Sequence, residues 1–345
     1  MSKSPTFQMK WISALCLTVL STGWQAANAA CNPVVGTEMT CTGSTATQIT
    51  NTSNPPLTNA VSRVTLDSGY SVDLAANNAA FQIINDQAFD LNFTQAAGGV
   101  AKSTFGIAIV SAGGVSQLLQ GSIAGKEQSG FSSVIRNGGN SLVINQAASS
   151  TISGWPGIVT QNDGKGSTDI TVAGSVASLS ASGISGLPKP PGNALGITNG
   201  STAVDLTVTQ SGGSISGSGG IIARNNGSGT TSISTSGTVT ATNAGLGITN
   251  GANAKDLKIT QNGGEISGAG VGVTSDNQGA GSTVVNTVAS VKSANGPAFG
   301  ITNGVKAKGL MITQSASGTI DAAAGISTQN NGVGETKIET LGAIK

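Results

Sequence analysis

From about residue 61 to residue 345, apolar residues fall in short groups of period two, set apart by glycine, serine, threonine and asparagine. In Leu257-Lys258-Ile259 a charged residue stands between two apolar ones, which is strand spacing and not helix spacing. The groups recur as words. Leu195-Gly-Ile-Thr-Asn-Gly200, Leu246-Gly-Ile-Thr-Asn-Gly251 and Phe299-Gly-Ile-Thr-Asn-Gly304 lie 51 and 53 residues apart. About eleven residues after each comes a second word: Leu206-Thr-Val-Thr-Gln210, Leu257-Lys-Ile-Thr-Gln261 and Leu310-Met-Ile-Thr-Gln314. Upstream copies read Leu91-Asn-Phe-Thr-Gln95 and Leu142-Val-Ile-Asn-Gln146. A third word starts at Gly157, Gly220, Gly272 and Gly325 on the same beat. The second and third series both lengthen by about a dozen residues at one place. The expected insertion is Gly186-Leu-Pro-Lys-Pro-Pro-Gly-Asn193, whose three prolines would break a strand.

Each unit of about 52 residues divides into two similar halves, one built on Ile221, Ile233 and Val239 and the other on Ile248, Leu257, Ile259 and Ile266. The elementary step is therefore about 25 residues with three short strands. The density of Gly, Thr, Ser and Asn excludes helical repeats. Antiparallel hairpins at Asn-Gly turns are the main competitor. A β-propeller wants four strands per blade and a recurring aromatic signature. The step suits a parallel β-helix, or β-solenoid, in which each strand pairs with its counterpart one coil on, about 4.8 Å along the axis. Residues 61–345 give room for roughly eleven coils, a rod of about 55 Å. The recurrent asparagines Asn199, Asn226, Asn250, Asn277, Asn303 and Asn331 either shape turns or stack as amide ladders. One coil buries some five aliphatic side chains for a gain near 10 kcal/mol. Fixing about 25 residues costs more, so stability must come from stacking neighbours.

The start of the chain reads differently. Lys3 and Lys10 precede the apolar run Trp11–Leu20, and Ala27-Asn28-Ala29 follows. That is the pattern of a secretory signal peptide, here 1–29, and it implies export. Nothing later reaches the ~18 apolar residues of a membrane helix. Beyond the signal only Cys31 and Cys41 remain, and in an oxidising compartment a disulfide between them is expected. Residues 30–60 are expected to cap the first open edge. The last half-repeat, through Leu341 to Lys345, carries no such cap, which suggests a fragment, an early-terminated product or one part of a longer assembly.

Composition narrows the function classes. Charged residues are 9 % and aromatics 3 %, and histidine is absent. Without Lys3 and Lys10, 14 basic residues face 15 acidic ones, and no charge run points to nucleic acid. A zinc site would want ligands that a chain without His does not supply, and no serine has a His base. Asp67, Asp73, Asp86 and Asp90 form the densest acidic stretch, but each has turn-type neighbours. The expectation is a non-enzymatic protein with no catalytic, cofactor or metal residue. Two features qualify as partner-binding candidates. Trp155 is the one tryptophan after the signal, either an exposed anchor or packed filler. Pro188, Lys189, Pro190 and Pro191 would sit on the protruding insertion.

The signal peptide, the Cys31-Asn-Pro-Val-Val-Gly-Thr-Glu-Met-Thr-Cys41 segment and the Gly-Ile-…-Asn-Gly coils together resemble the passenger domains of bacterial autotransporters. The resemblance is one of pattern and composition across the chain after its signal. It implies a right-handed β-helix on, or released from, the outer membrane, acting in adhesion or other surface contact, with an unknown host or surface ligand. It also implies an outer-membrane translocator barrel as partner. Such a barrel needs many ~10-residue alternating strands with aromatic girdles, and this sequence contains none. A β-helix polysaccharide lyase or hydrolase and a purely structural stalk are the alternatives.

Overall fold

A computed structural model describes residues 38–42, 44–45, 49–51, 62–73, 79–85, 90–103, 105–125, 132–179 and 192–345. The expected signal peptide, Cys31, Asp86 and residues 186–191 of the expected insertion lie outside the described residues. Among the described residues there are 35 strands and no helix. The strands form three sheets of 12, 12 and 11 strands, and each sheet takes every third strand in chain order. The chain thus visits the first, second and third sheets once per coil. Eleven coils are complete and a twelfth has two strands.

Register fixes the step. Leu206 pairs in parallel with Thr231, Thr231 with Leu257 and Leu257 with Thr283, at steps of 25, 26 and 26 residues. The parallel β-solenoid is thereby established, and hairpin pairing is excluded. One coil is longest: Thr168 pairs with Leu206 and Ile158 with Leu195, steps of 38 and 37, while near the start Ile49 pairs with Phe81 and Arg63 with Asn92 at steps of 32 and 29. In the longest coil the extra residues fall between the strands Ser175–Ser178 and Asn193–Asn199, so Asn193 opens a strand. Within the stretch expected to cap the rod, Glu38–Cys41, Ser44–Thr45 and Ile49–Asn51 already pair as strands of the three sheets.

Alternation explains why these segments are strands. In Leu257–Gln261 burial alternates with sequence, with Leu257, Ile259 and Gln261 inside and Lys258 outside. Stacking turns the alternation into columns. Phe93, Gln117, Ile144, Ile170, Val208 and Ile233 follow one another up the first sheet. Ile152 and Val176 lie in register up the second sheet, as do Ile215, Val239 and Ile266 above them. Where the second sheet turns into the third, the residues are small and buried: Gly157, Ala194, Gly220, Gly245, Gly272 and Ala298. A Cβ on Gly220 would lie 2.3 Å from the Gly245 carbonyl oxygen and 2.5 Å from Val239 Cγ1. One on Gly272 would lie 2.6 Å from Val291 Cγ1. The glycines of the third word therefore mark a corner where aliphatic side chains of the second sheet press on backbone.

Candidate interaction surface

Most polar side chains inside the rod are committed to holding one coil to the next. From Ser133–Asn137 upward, each third-sheet strand ends in an asparagine, and Asn137, Asn162, Asn199, Asn225, Asn250, Asn277 and Asn303 are buried. Asn137 Nδ2 donates to Asn162 Oδ1 at 2.9 Å, and Asn162 Nδ2 donates to Thr168 Oγ1 at 3.0 Å. The Thr168 hydroxyl in turn donates to Asn199 Oδ1. The same alternation returns higher up, from Asn250 to Asn277 at 3.1 Å, on to Thr283 at 2.9 Å and from there to Asn303 at 2.6 Å. These residues also shape turns: Asn162, Asn225, Asn277 and Asn330 Oδ1 each accept the N–H of a glycine two residues on. Turn and ladder are thus one device. Two expected members are corrected. Asn199 pairs with Asn225, not Asn226, and Asn303 with Asn330, not Asn331. Inward parity continues from Ile221 and Ala223 to Asn225, which leaves Asn226 past the strand end.

The glutamines do similar work at the first corner. Gln95, Gln146, Gln210, Gln261 and Gln314 are buried. Gln146 Nε2 donates to the Ser150 carbonyl of its own coil at 3.3 Å and to that of Ser175 in the next at 3.0 Å. Gln261 repeats this with Gly264 and Ser290 at 3.1 and 2.9 Å. Both residue types stitch coil to coil by satisfying turn carbonyls that would otherwise be buried bare.

The carboxylates are engaged likewise. Asp90 Oδ1 accepts Gly114 N–H at 2.8 Å, Asp205 accepts Thr230 N–H at 2.7 Å and Asp256 accepts Ser282 N–H at 2.8 Å. Each reaches one coil onward. Asp67 accepts Ser68 N–H, and Asp163 lies 3.6 Å from Arg136 Nε. Asp73 ends the strand Ser71–Asp73. No group of three or more His, Cys, Asp or Glu placed to hold a metal occurs among the described residues. Cys41 is buried and disulfide-bonded, with its partner outside the described residues.

What remains is the outside. On the second sheet the outward positions Ser122, Thr151, Ser175, Ser214 and Thr238 follow one another over five coils. Ser122 Oγ and Thr151 Oγ1 are 3.0 Å apart, and Ser214 donates to Ser175 at 3.2 Å. Charge bounds this stretch of the face, with exposed Lys102 one coil before it and Glu265, 2.6 Å from Lys292 Nζ, one coil after it. The Glu265 carboxylate, hydrogen-bonded to that ammonium, holds it above its usual pKa. The corner beside this hydroxyl stripe carries one of the two sequence-predicted candidates. Trp155 is half-buried between Thr151–Gly154 and Ile158–Asn162, in a cis peptide with Pro156. A Cβ on Gly192 would lie 2.6 Å from Trp155 Cδ1 and Nε1, so the indole covers the backbone where the longer coil rejoins the sheet. Trp155 is thus brought to the root of the insertion, while Pro188, Lys189, Pro190 and Pro191 lie outside the described residues. The hydroxyl stripe escaped the sequence reading, because serine and threonine at outward positions look the same as at turns until the register aligns them.

No family model, no curated protein and no solved structure matched the chain.

Proposed function

We propose that the chain is an exported, surface-exposed or released passenger of autotransporter type, and that it acts as an adhesin or surface-contact rod. One observation carries this reading: buried polar groups and carboxylates join coil to coil, leaving a neutral hydroxyl face beside the corner where Trp155 meets Gly192 of the longer coil. Such a face offers hydrogen bonds and little charge, which suits neutral glycan or protein surfaces more than nucleic acid. Loops on rigid scaffolds carry recognition more often than the scaffold does. In the same reading an N-terminal signal peptide directs export and a translocator barrel serves as partner. A lyase would want clustered carboxylates, whereas Asp90, Asp205 and Asp256 hold backbone N–H groups.

The test uses the purified chain on cultured cells, matrix proteins and bare polystyrene. Deletion of residues 180–191 and, separately, Trp155→Ala should reduce retention severalfold with the circular-dichroism spectrum unchanged. Full retention by both variants removes this corner from the reading, and no binding by the parent chain favours the stalk.

A further inference from the structure

Asn-Gly sequences carry a reactivity of their own. The glycine nitrogen can attack the asparagine side-chain carbonyl, forming a C–N bond and releasing the side-chain nitrogen as ammonia. Water then opens the five-membered imide to aspartate or isoaspartate. The attack requires a free glycine N–H and a side-chain carbon within reach of it. This chain has eight such dipeptides among the described residues, beginning at Asn137, Asn199, Asn226, Asn250, Asn262, Asn295, Asn303 and Asn331.

The fold ties up seven of the eight nucleophiles. Gly138, Gly200, Gly251 and Gly304 donate their N–H to carbonyls of the preceding coil, at 2.7, 2.7, 2.7 and 2.8 Å. Gly227 and Gly332 donate to the ladder asparagines Asn225 and Asn330 at 3.0 and 3.2 Å. Gly296 donates to Ser293 Oγ at 3.2 Å. Gly263 alone donates to no group among the described residues. Burial sorts the sites too: Asn137, Asn199, Asn250 and Asn303 are fully buried, whereas Asn262 is exposed. The Asn262 side chain has one partner, donating from Nδ2 to the exposed Ser234 hydroxyl at 2.9 Å, which leaves its carbonyl open.

We propose that Asn262 is a spontaneous modification site, the one Asn-Gly pair in the described rod that converts to aspartate or isoaspartate while the protein stays folded. The product places a negative charge in the turn that leads to Glu265, next to the ion pair of Glu265 and Lys292, and removes the Nδ2 donor whose bond Ser234 accepts. Four of the other pairs wait on separation from the preceding coil, and those at Asn226, Asn295 and Asn331 wait on rearrangement of their own turn. Freeing the hydrogen bond of one glycine N–H slows their attack by about tenfold, and burial slows the interior ones further.

The experiment incubates the intact folded chain at mildly alkaline pH and follows the one-dalton gain at each Asn-Gly pair by peptide mapping. The same incubation in strong denaturant gives the intrinsic rates. In denaturant the eight sites should convert at comparable rates. In the folded chain position 262 should lead every other site by about tenfold or more. Conversion led by Asn331, Asn295 or Asn226, or an equal rate at all exposed sites, overturns the proposal. Gly263→Ala should abolish the lead at 262 without altering the rates at the other seven.

Discussion

Gln117 stands in the first-sheet column between Phe93 and Ile144, fully buried, and neither atom of its amide has a hydrogen-bond partner. An amide in that setting costs about 1–3 kcal/mol. Gln117→Met keeps the volume and removes the polar atoms, so the urea midpoint should rise by an amount worth about 1–2 kcal/mol at unchanged m-value. A lowered midpoint would show that the amide does useful work. Parity in the sequence places Gln117 inside, but sequence cannot reveal that it lacks what Gln146 and Gln261 have. Tyr70, the single tyrosine of the chain, is also buried, and burial pushes its phenol far above the usual value near 10. The unfolded chain therefore loses that proton first. Stability is full below pH of about 10 and falls as pH rises beyond it. Absorbance at the phenolate band should appear together with unfolding in an alkaline titration, and Tyr70→Phe should extend the folded range upward. Phenolate signal from a fully folded chain would contradict this.

At the scale of the element, the two faces of one strand type carry glycines with opposite meanings. In Ala244–Asn250 a Cβ on Gly245 would lie 2.6 Å from the Gly272 carbonyl oxygen and 2.7 Å from Ile266 Cγ2. In Asn193–Asn199 one on Gly196 would meet nothing nearer than 3.7 Å. Gly245→Val should lower stability by about 1–3 kcal/mol, and Gly196→Ala should stay within about 0.5 kcal/mol, both read from denaturant midpoints. Equal effects would mean that the corner yields. Much of this level was legible in the sequence. The period of two, the step of about 25 residues and the largest insertion all follow from where Leu257-Lys258-Ile259 and its copies recur, whereas the smaller excess between Ile49 and Phe81 falls before the first recurring word. The ladder was legible only in part. Matching words by their glycines picked Asn226 and Asn331, whereas counting alternate residues from Ile221 reaches Asn225. The corner column was hidden for a different reason: Gly157, Ala194 and Gly220 share a position set by the Val and Ile side chains of another sheet. No local pattern records that contact.

The whole molecule is a stack in which each coil touches its two neighbours, so its stability is a sum of coil and interface contributions. Little of that sum is electrostatic. The ion pairs Arg63–Glu38, Arg136–Asp163, Lys292–Glu265 and Lys337–Glu339 are solvent-exposed, and such pairs contribute about 0–1 kcal/mol each. The melting temperature should accordingly change by no more than a few degrees between low and moderate salt. A large drop would point to a charge network in the residues not described.

Stacking also makes residue number a measure of distance. From the Leu142–Gln146 coil to the Thr336–Thr340 coil the first sheet takes seven steps, about 34 Å at the spacing of adjacent strands. The rod is graduated, and its graduations come in pairs. Gln146, Gln210 and Gln261 occupy every second coil, with Val172 and Thr235 between them in register. Duplicating one coil would set glutamine against glutamine, or threonine against threonine, at the corner. Duplicating two preserves the alternation. Internal duplication or deletion should therefore be tolerated in blocks of about 52 residues, moving whatever the rod carries by about 10 Å at a time.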